Sequence, residues 1–434
     1  MGYLEIIIII FIVLGVISGI GLLHFFIFSV IGLFARKTYP QAKEKGKYGI
    51  IISARNEEKV IAGLIRSIRE NDYPQENIQI FLVAHNCTDQ TAKVAREAGA
   101  IVYEYNNPEE RTLGFAYRAL FQAMKEDHFD FHSVDGFLVM NADNTVQKNY
   151  LSKMNDAFQA NHKECVITSY RNSKNFSENY MSCLYGIFFV AACRYEARGR
   201  TLCGVSTRIS GTGYLYPAHL VENGWEYVSL TEDWEFSADR IACGTKIYYC
   251  DEAEFFDEQP TTVPIMLRQR MRWGKGHMDV FFTRFKKVVS SIFHPHKYGG
   301  KKKNLMSKYD IAVEIMPLGV IGVVSWLLQI LLLALTPLFG YDAGEVFAKY
   351  FLILGIGLAS SYLITVLSAI LILMVEKKRI GKLKFGSTLL AVLLWPFFVL
   401  LNVFLDVAAL FVKKLEWKPI PHSYNKKEKV KVKE

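Results

Sequence analysis

The sequence lacks any closely spaced set of cysteine and histidine residues. Its 434 residues include seven cysteines, and none of them forms a CxxC pair. Zinc sites built on such spacing and regular disulfide frameworks are therefore excluded as the basis of the fold. An odd number of widely separated cysteines predicts reduced thiols that contribute to packing, as is usual in the cytosol.

Charge is missing from several long stretches of the chain. The composition is 51% hydrophobic with a mean hydropathy of +0.15, so part of the surface is expected to face lipid. The formal net charge is +9, but the basic residues cluster beside apolar runs, which indicates juxtamembrane anchoring and not nucleic-acid binding. These clusters are Arg36 to Lys47, Lys301 to Lys308, Lys377 to Lys384 and the tail from Lys413.

The first apolar run, Leu4 to Phe34, has no basic residue before it and no convincing cleavage site. It is longer than a signal peptide and longer than the roughly twenty residues that cross a bilayer. We therefore expect an uncleaved transmembrane helix at residues 1–35. The basic residues that follow favour the cytoplasmic side, which predicts a multi-pass protein of the cell membrane with a cytoplasmic domain.

Three further apolar runs near the C-terminus are each long enough to span a bilayer. They are Ile311 to Leu338, Val346 to Val375 and Ser387 to Val412. A third span would place the basic tail, 413–434, outside the cell, against the usual preference of basic residues. Pro396 and Asp406 in the last run suit a re-entrant segment. Region 309–412 is therefore expected to hold two or three spans.

Between the first two apolar runs, short strand patterns alternate with helical patterns. The strand patterns are Tyr48 to Ser53, Ile78 to Ala84, Ala100 to Glu104 and Gly136 to Met140. This order predicts an α/β domain at 48–263 with a Rossmann-like, mostly parallel sheet, followed by interfacial helices at 264–308. Ligands bind such sheets at the carboxyl ends of the strands, where three polar clusters are expected to share one crevice.

An acid follows the last of these strands, in Asn141-Ala142-Asp143. A carboxylate at Asp143 suits Mg²⁺ or Mn²⁺ that already carries phosphate ligands. A simple strand-to-turn cap is the alternative interpretation.

Two further acids, Glu232 and Asp233, follow Thr231 at the predicted start of a helix. They are either a capping device or a catalytic pair with pKa values raised in a closed cleft.

The pattern QxxRW places Gln269, Arg272 and Trp273 on one face of a predicted helix. An arginine there can pair with a diphosphate, and a tryptophan can support a sugar ring. The alternative is an interfacial helix whose arginine and tryptophan contact lipid headgroups.

The order SARNE, NCTD, NAD, GTG, TED and QxxRW resembles that of membrane-bound family 2 glycosyltransferases with a GT-A fold, similar to cellulose, chitin and hyaluronan synthases. The resemblance covers about Tyr48 to Val280. It implies inverting transfer of a sugar from a nucleotide-sugar to a growing polysaccharide or another membrane-associated acceptor. UDP-N-acetylglucosamine and UDP-glucose are the first donors that it suggests.

The same resemblance implies roles for individual residues. Asp233, with Glu232 beside it, is implied as the catalytic base, and Asp143 as the metal ligand of a DxD-like motif. Donor contacts are implied for Ser53, Arg55, Asn56, Glu57, His85, Asn141, Asp143, Gln269 and Arg272. Acceptor contacts are implied for Trp273, Gly211, Thr212 and Gly213. Asn141 and His85 depart from the family pattern, because relatives often have acids there, and this leaves the nucleotide open.

Three functions remain open from the sequence. A processive synthase would export its polymer, and the small number of C-terminal spans suggests that a partner subunit would be needed. A single-transfer enzyme would make a glycolipid. A non-catalytic membrane protein would only sense nucleotide-sugars. For the enzyme we expect Mg²⁺ or Mn²⁺, a nucleotide-sugar, membrane lipids and a glycan or lipid-linked acceptor as partners.

Overall fold

A computed structural model of the protein describes residues 2–298, 304–412 and 415. In this part of the chain, long apolar helices flank a central α/β domain. The strands are β1 (Tyr48–Ala54), β2 (Ile78–His85), β3 (Ile101–Tyr105), β4 (Gly136–Asn141), β5 (Thr145–Val146), β6 (Val166–Ser173), β7 (Tyr214–Pro217) and β8 (Ile247–Asp257).

The helices of the first two thirds of the chain are α1 (Tyr3–Phe34), α2 (Ile61–Arg69), α3 (Thr91–Glu97), α4 (Leu113–Glu126), α5 (Tyr150–Ala160), α6 (Tyr180–Ala191), α7 (Arg198–Leu202), α8 (Glu232–Ala242) and α9 (Val263–Phe293). A short π-helix, Ala192–Ala197, joins α6 to α7. The helices that follow are α10 (Leu305–Ile315), α11 (Leu318–Ala334), α12 (Ala343–Val375), α13 (Lys377–Ile380) and α14 (Phe385–Phe411).

The eight strands form one mixed sheet in the order β3-β2-β1-β4-β7-β6-β8-β5. The first four strands pair in parallel, as the alternation of strand and helix patterns predicts. β7 runs antiparallel to both β4 and β6, whereas β6 and β8 pair in parallel. The predicted α/β class with a mostly parallel sheet is confirmed.

Alternation along β1 shows how the sheet is covered on both faces. Ile50 and Ile52 pack with α2 and α5 on one side, whereas Ile51 packs with α4, α8 and α9 on the other. All three isoleucines are fully buried. Burial on both faces leaves the strand ends as the places where this sheet presents polar side chains to a ligand.

Three helices of the described chain, α1, α12 and α14, are long and apolar enough to cross a membrane. A fourth crossing results if the bent pair α10 and α11 is counted as one span. Most of the apolar side chains of α1 and α12 are exposed, as expected of surfaces that contact lipid.

The run Ile311 to Leu338, predicted as one span, is divided between two helices, since α10 and α11 meet at an angle of 61°. Pro317 separates them, and proline cannot continue the hydrogen bonding of a helix. Asp310 of α10 is buried against Arg200, with 2.7 Å between Oδ2 and Nε. The first part of the predicted span therefore packs on the α/β domain, and the predicted boundary at 308/309 falls inside α10.

The last apolar segment is one unbroken helix, α14, with Pro396 inside it. A re-entrant segment would have to reverse direction near Pro396, and this helix does not. The re-entrant alternative is therefore wrong. α14 packs on α6, α9, α11 and α12. The predicted basic tail at 413–434 lies outside the described residues, apart from Leu415.

Candidate active site

A cavity of about 490 Å³ opens at the carboxyl ends of β1, β2, β4 and β8, and α9 forms one of its walls. Every predicted donor-contact residue except Asn56 lines it: Ser53, Arg55, Glu57, His85, Asn141, Asp143, Gln269 and Arg272. The convergence follows from the sheet, because neighbouring parallel strands end at the same edge.

Asn56 holds two loops together. Its Oδ1 accepts a hydrogen bond of 2.8 Å from the backbone N–H of Thr88, so the loop after β1 is tied to the loop after β2. Its backbone has a φ of 59°, in the left-handed region that asparagine tolerates better than most residues. Asn56 does not line the cavity, and its predicted donor contact stays a prediction.

His85 is a buried and neutral group at the edge of the cavity. Its Nε2 donates to the backbone carbonyl of Glu110 at 2.7 Å, and its ring stacks on Tyr105 with 5.8 Å between ring centroids. Burial lowers the pKa of His85. The position therefore offers a neutral ring surface to the cavity.

Asp143 is fixed through both its side chain and its backbone. Its Oδ2 accepts from the N–H of Glu258 at 3.3 Å, and its carbonyl accepts from Lys174 Nζ at 2.6 Å. Burial lowers the pKa of this lysine. Asp143 thus lies in a ring of polar groups contributed by β4, β6 and the end of β8.

Asp257 at the end of β8 is the second carboxylate on this side of the cavity. It forms an ion pair of 2.5 Å with Arg171. Burial raises its pKa; Arg171 opposes the shift and the nearby charge of Asp143 adds to it. Because the charge of Asp143 acts on Asp257, the two carboxylates are close enough to interact with one cation.

The donor groups fit a divalent cation only in part. Among the described residues, no group of three or more histidine, cysteine, aspartate or glutamate side chains is placed to hold a metal. Asp143, with Asp257 nearby, is instead the kind of sparse carboxylate set that Mg²⁺ or Mn²⁺ uses when phosphates and water complete its coordination. The site therefore fits a cation that is bound together with a diphosphate.

Glu232 and Asp233 begin α8 behind the cavity. Glu232 is only 4% exposed, and burial raises the pKa of both carboxyls, while the charge of Arg272 opposes the shift. Thr231 makes no capping hydrogen bond from its side chain. Thr231 therefore does not cap the helix through its side chain, but backbone N–H groups of Asp233 and Trp234 donate to the Asp233 carboxyl, so the capping and the catalytic interpretation both stay open.

Arg272 connects the two acidic regions. It lines the cavity that contains Asp143, and its charge acts on both Glu232 and Asp233. Ion pairs between α8 and α9 hold this arrangement: Arg284 lies 2.6 Å from Glu235 and Lys287 lies 2.5 Å from Asp239.

The turn predicted to contact the acceptor, 211–213, contacts both the motif after β4 and the acids at the start of α8. Thr212 is buried; its Oγ1 donates to Asn144 Oδ1 at 2.5 Å and accepts from the N–H of Asn141 at 2.9 Å. A Cβ atom added to Gly211 would lie 3.8 Å from Asp233 Oδ2. Gly213 has a φ of 68° and packs under the ring of Phe255. The turn therefore lies between the two motifs, although it does not line the large cavity.

Trp273 lies on a different side of α9. It stacks on Phe188 with 6.2 Å between ring centroids and meets Tyr185 and Phe189 edge-on. Of the three residues predicted to share one helix face, Gln269 and Arg272 line the cavity, whereas Trp273 does not. Its predicted contact with an acceptor stays a prediction.

Several residues of the cavity escaped the sequence analysis. They are Arg111, Arg171, Asp257, Glu258 and Gln259. Asp257 and Glu258 could have been predicted as site residues, since they stand at the end of a strand just as Asn141 to Asp143 do. Arg171 carried none, because one arginine inside a strand pattern does not show which face it occupies.

The family model described as "Glycosyltransferase like family 2" matches residues 46–276, more than half of the chain. The chain belongs to this glycosyltransferase family. The enzyme is 23% identical over 266 residues to YdaM, a probable glycosyltransferase of Bacillus subtilis, covering 58% of this chain and 62% of the relative. It is 24% identical over 325 residues to a probable glycosyltransferase of Sulfolobus acidocaldarius, covering 73% and 66%.

A third relative of this glycosyltransferase is poly-beta-1,6-N-acetyl-D-glucosamine synthase of Staphylococcus epidermidis, 21% identical over 250 residues that cover 56% of this chain and 57% of the relative. The chain thus spans less than two thirds of the length of each of these curated relatives.

Among solved structures, a mannosyltransferase of Pyrobaculum calidifontis in complex with GDP-Man and Mn²⁺ is similar, with a TM-score of 0.54 and 14% identity. The match covers 92% of this chain and 96% of that one, and it confirms the predicted GT-A fold.

Proposed function

We propose that this glycosyltransferase carries out an inverting transfer of a sugar from a nucleotide-sugar, with a UDP-sugar as the first candidate, to a glycan or membrane-associated acceptor. The observation that carries the proposal is the position of Arg272. It lines the cavity shared with Asp143, and its charge also acts on the buried Glu232 and the partly buried Asp233. Arg272 would therefore lie between the diphosphate of the donor and the hydroxyl of the acceptor.

Asp233 takes the role of base in this proposal. Its carboxylate removes the proton of the acceptor hydroxyl, and that oxygen forms a bond to C1 of the donor sugar. The bond from C1 to the diphosphate oxygen breaks, and the nucleoside diphosphate leaves with the electron pair. A pKa raised by burial makes Asp233 a stronger base than an exposed aspartate.

Arg272 and Arg171 neutralise the leaving diphosphate. Asp143, with Asp257 beside it, would hold a divalent cation that adds positive charge at the same oxygens. Lys174 donates to the carbonyl of Asp143 and keeps this carboxylate in place.

The donor base would lie between the loops after β1 and β2. Arg55 and Glu57 line this end of the cavity, and the neutral ring of His85 forms part of its surface. A neutral ring is compatible with more than one base, and the similar proteins include one solved with GDP-Man and one named as a poly-N-acetylglucosamine synthase. The nucleotide is therefore best determined with a panel of donors.

The acceptor would come from the membrane side. α1, α12 and α14 are the helices long and apolar enough to cross a bilayer, and α14 packs on α9, which carries Arg272. The basic residues after α1 place the α/β domain in the cytoplasm in this proposal.

The test is transfer by purified protein in liposomes, with UDP- and GDP-sugars, Mn²⁺ and mass detection of the product. Asp233→Asn should reduce kcat by about 10²–10⁴-fold, the range that a general base supplies, and should leave donor binding by calorimetry unchanged. Asp72→Asn is the matched control, since Asp72 is exposed and far from the cavity lining. Full activity of Asp233→Asn would remove the assignment.

Product length separates processive synthesis from single transfer. A ladder of products from labelled donor supports a polymer synthase, whereas one discrete lipid-soluble product supports glycolipid synthesis.

A further inference from the structure

A second charged cavity lies between the domain-side ends of two long apolar helices. It has a volume of about 350 Å³ and is bordered by the last residue of α1, Phe34, and the last residue of α12, Val375. Its floor includes Asp251 of β8. None of its lining residues belongs to the strand-end cavity of the proposed active site.

The inner part of this cavity is a network of ion pairs. Arg198 lies 2.5 Å from Asp251, and Arg379 lies 3.0 Å from the same carboxylate. Arg194 pairs with Glu376. The two acids therefore already have cationic partners, and they leave no negative charge uncompensated in the cavity.

The outer part carries positive charge in excess. Arg36 and Lys378 line the cavity, are exposed, and form no ion pair or hydrogen bond with another described residue. In total the lining holds five basic and two acidic side chains. An anion is the ligand that such a surplus favours.

The backbone around the cavity is fixed by the same arginines. Arg194 donates to the carbonyl of Leu33 at 2.6 Å, in the last turn of α1. The positive side chain meets the negative end of the helix dipole there, which is a stabilising arrangement. The cavity is therefore shaped by buried contacts, and its two exposed cations are free to serve a ligand.

The rim of the cavity is apolar. Phe34 is 82% exposed, and the outward surfaces of α1 and α12 that lead to the rim consist largely of exposed isoleucine, leucine and valine. A ligand with a negative head and hydrocarbon chains matches this combination, because its head meets the cations while its chains follow the apolar helices.

We propose that this cavity binds the phosphate headgroup of an anionic phospholipid of the cytoplasmic leaflet. Arg36 and Lys378 contact the phosphodiester, and the acyl chains lie along α1 and α12. The inference rests on the proposed membrane placement of these helices, and it is independent of the catalytic roles assigned to Asp143, Asp233 and Arg272.

The test compares lipid binding by two double variants of the full chain, purified in detergent. Arg36→Gln with Lys378→Gln removes the two exposed cations of the cavity. Lys377→Gln with Lys382→Gln removes the same charge from exposed positions that do not line it. Native mass spectrometry with added phosphatidylglycerol measures the dissociation constant of the retained lipid.

The first double variant should bind phosphatidylglycerol about 30-fold more weakly, since each basic residue near an anionic lipid surface contributes about 1 kcal/mol, which is roughly fivefold in affinity. The control should bind like the unaltered chain, and phosphatidylcholine should not compete. Equal affinity of the two variants would overturn the proposal, and so would equal competition by phosphatidylcholine. Displacement of the lipid by inorganic phosphate at micromolar concentration would show a free-anion site and would likewise overturn the lipid assignment.

Membrane placement is tested separately by alkaline extraction of membranes that contain the unaltered chain. Retention in the membrane pellet, together with loss of lipid binding in the first double variant only, supports the inference. Release into the supernatant would contradict the membrane placement on which the inference rests, while transfer activity and the Asp233→Asn result would still report on the proposed function.

Discussion

The acids at the start of α8 and the acid in the middle of β8 are all partly or fully shielded from water, but their pKa values shift in opposite directions. Asp233 and Glu232 have raised pKa values, because the opposing charges of Arg272 and Arg208 do not compensate for burial. At Asp251 burial acts in the same direction, but Arg379 and Arg198 outweigh it and lower the pKa.

This difference separates a site that can exchange a proton from one that holds the fold. A carboxyl with a raised pKa binds a proton at higher pH than an exposed carboxyl does, whereas a carboxylate between two arginines stays ionised. Asp251 joins β8, α7 and α13, and the three elements surround the cavity at the ends of α1 and α12. Asp251 therefore holds three elements together, whereas Asp233 is the residue that we propose as the base.

The largest effect is expected from Asp251→Asn. Removing one charge from a buried ion pair leaves its partners uncompensated, at a cost of about 3–5 kcal/mol in the free energy of unfolding. Thermal unfolding in detergent measures it. Arg379→Gln and the double variant complete a double-mutant cycle, and additive effects of the two single changes would show that the pair is not coupled.

A smaller effect is expected from Gly276→Ala in α9. A Cβ atom there would lie 2.5 Å from the side chain of Thr231, directly before Glu232, so α9 must move away from α8. Overpacking of this kind costs about 1–3 kcal/mol, and the displacement of Arg272 should reduce kcat by about 10–100-fold.

Gly63→Ala is the control for this change. Gly63 lies in α2 with no atom within 4 Å of an added Cβ, so alanine should stabilise the helix by about 0.5–1 kcal/mol and leave kcat unchanged. If both alanine variants keep full activity, the spacing of α8 and α9 does not control catalysis.

The smallest effect is a shift in the pH profile. Asp233 must be ionised to act as a base, and its pKa is raised, so kcat/KM should fall about tenfold per pH unit below a midpoint higher than that of an exposed aspartate. Arg208→Gln removes a positive charge that favours the ionised form, and this should move the acidic limb to higher pH.

Arg96→Gln is the control for the pH profile, because Arg96 pairs with Glu104 on the surface. The profile of this variant should match that of the unaltered enzyme. Identical profiles for the Arg208 and Arg96 variants would argue that Asp233 is not the group that titrates.

The first half of the sheet could be predicted because its information is local. β1, β2 and β4 are continuous apolar runs that end in polar motifs, and buried parallel strands have this appearance in any sequence. The helix that carries QxxRW was also predicted from the sequence, but the packing of Trp273 on Phe188, away from the cavity, was not.

The second half of the sheet could not be predicted in the same way. β7 enters between β4 and β6 and reverses direction, and nothing in its four residues specifies these neighbours. Arg171 and Asp257 join the cavity only because β6 and β8 pair side by side there. The break between α10 and α11 was missed because a proline such as Pro317 is tolerated in membrane helices, and Glu314 counts against a membrane helix only when its partner, Arg200, is known.

The sequence by itself determined the order of the motifs, the positions of the long apolar helices and the class of the domain, because each depends on residues that are neighbours along the chain. Only the tertiary structure decided which acids are compensated. Asp233 and Asp251 are the same residue type, yet their pKa values shift in opposite directions. Burial raises the energy of both charges, and arginines from distant segments lower it by amounts that depend on their distance.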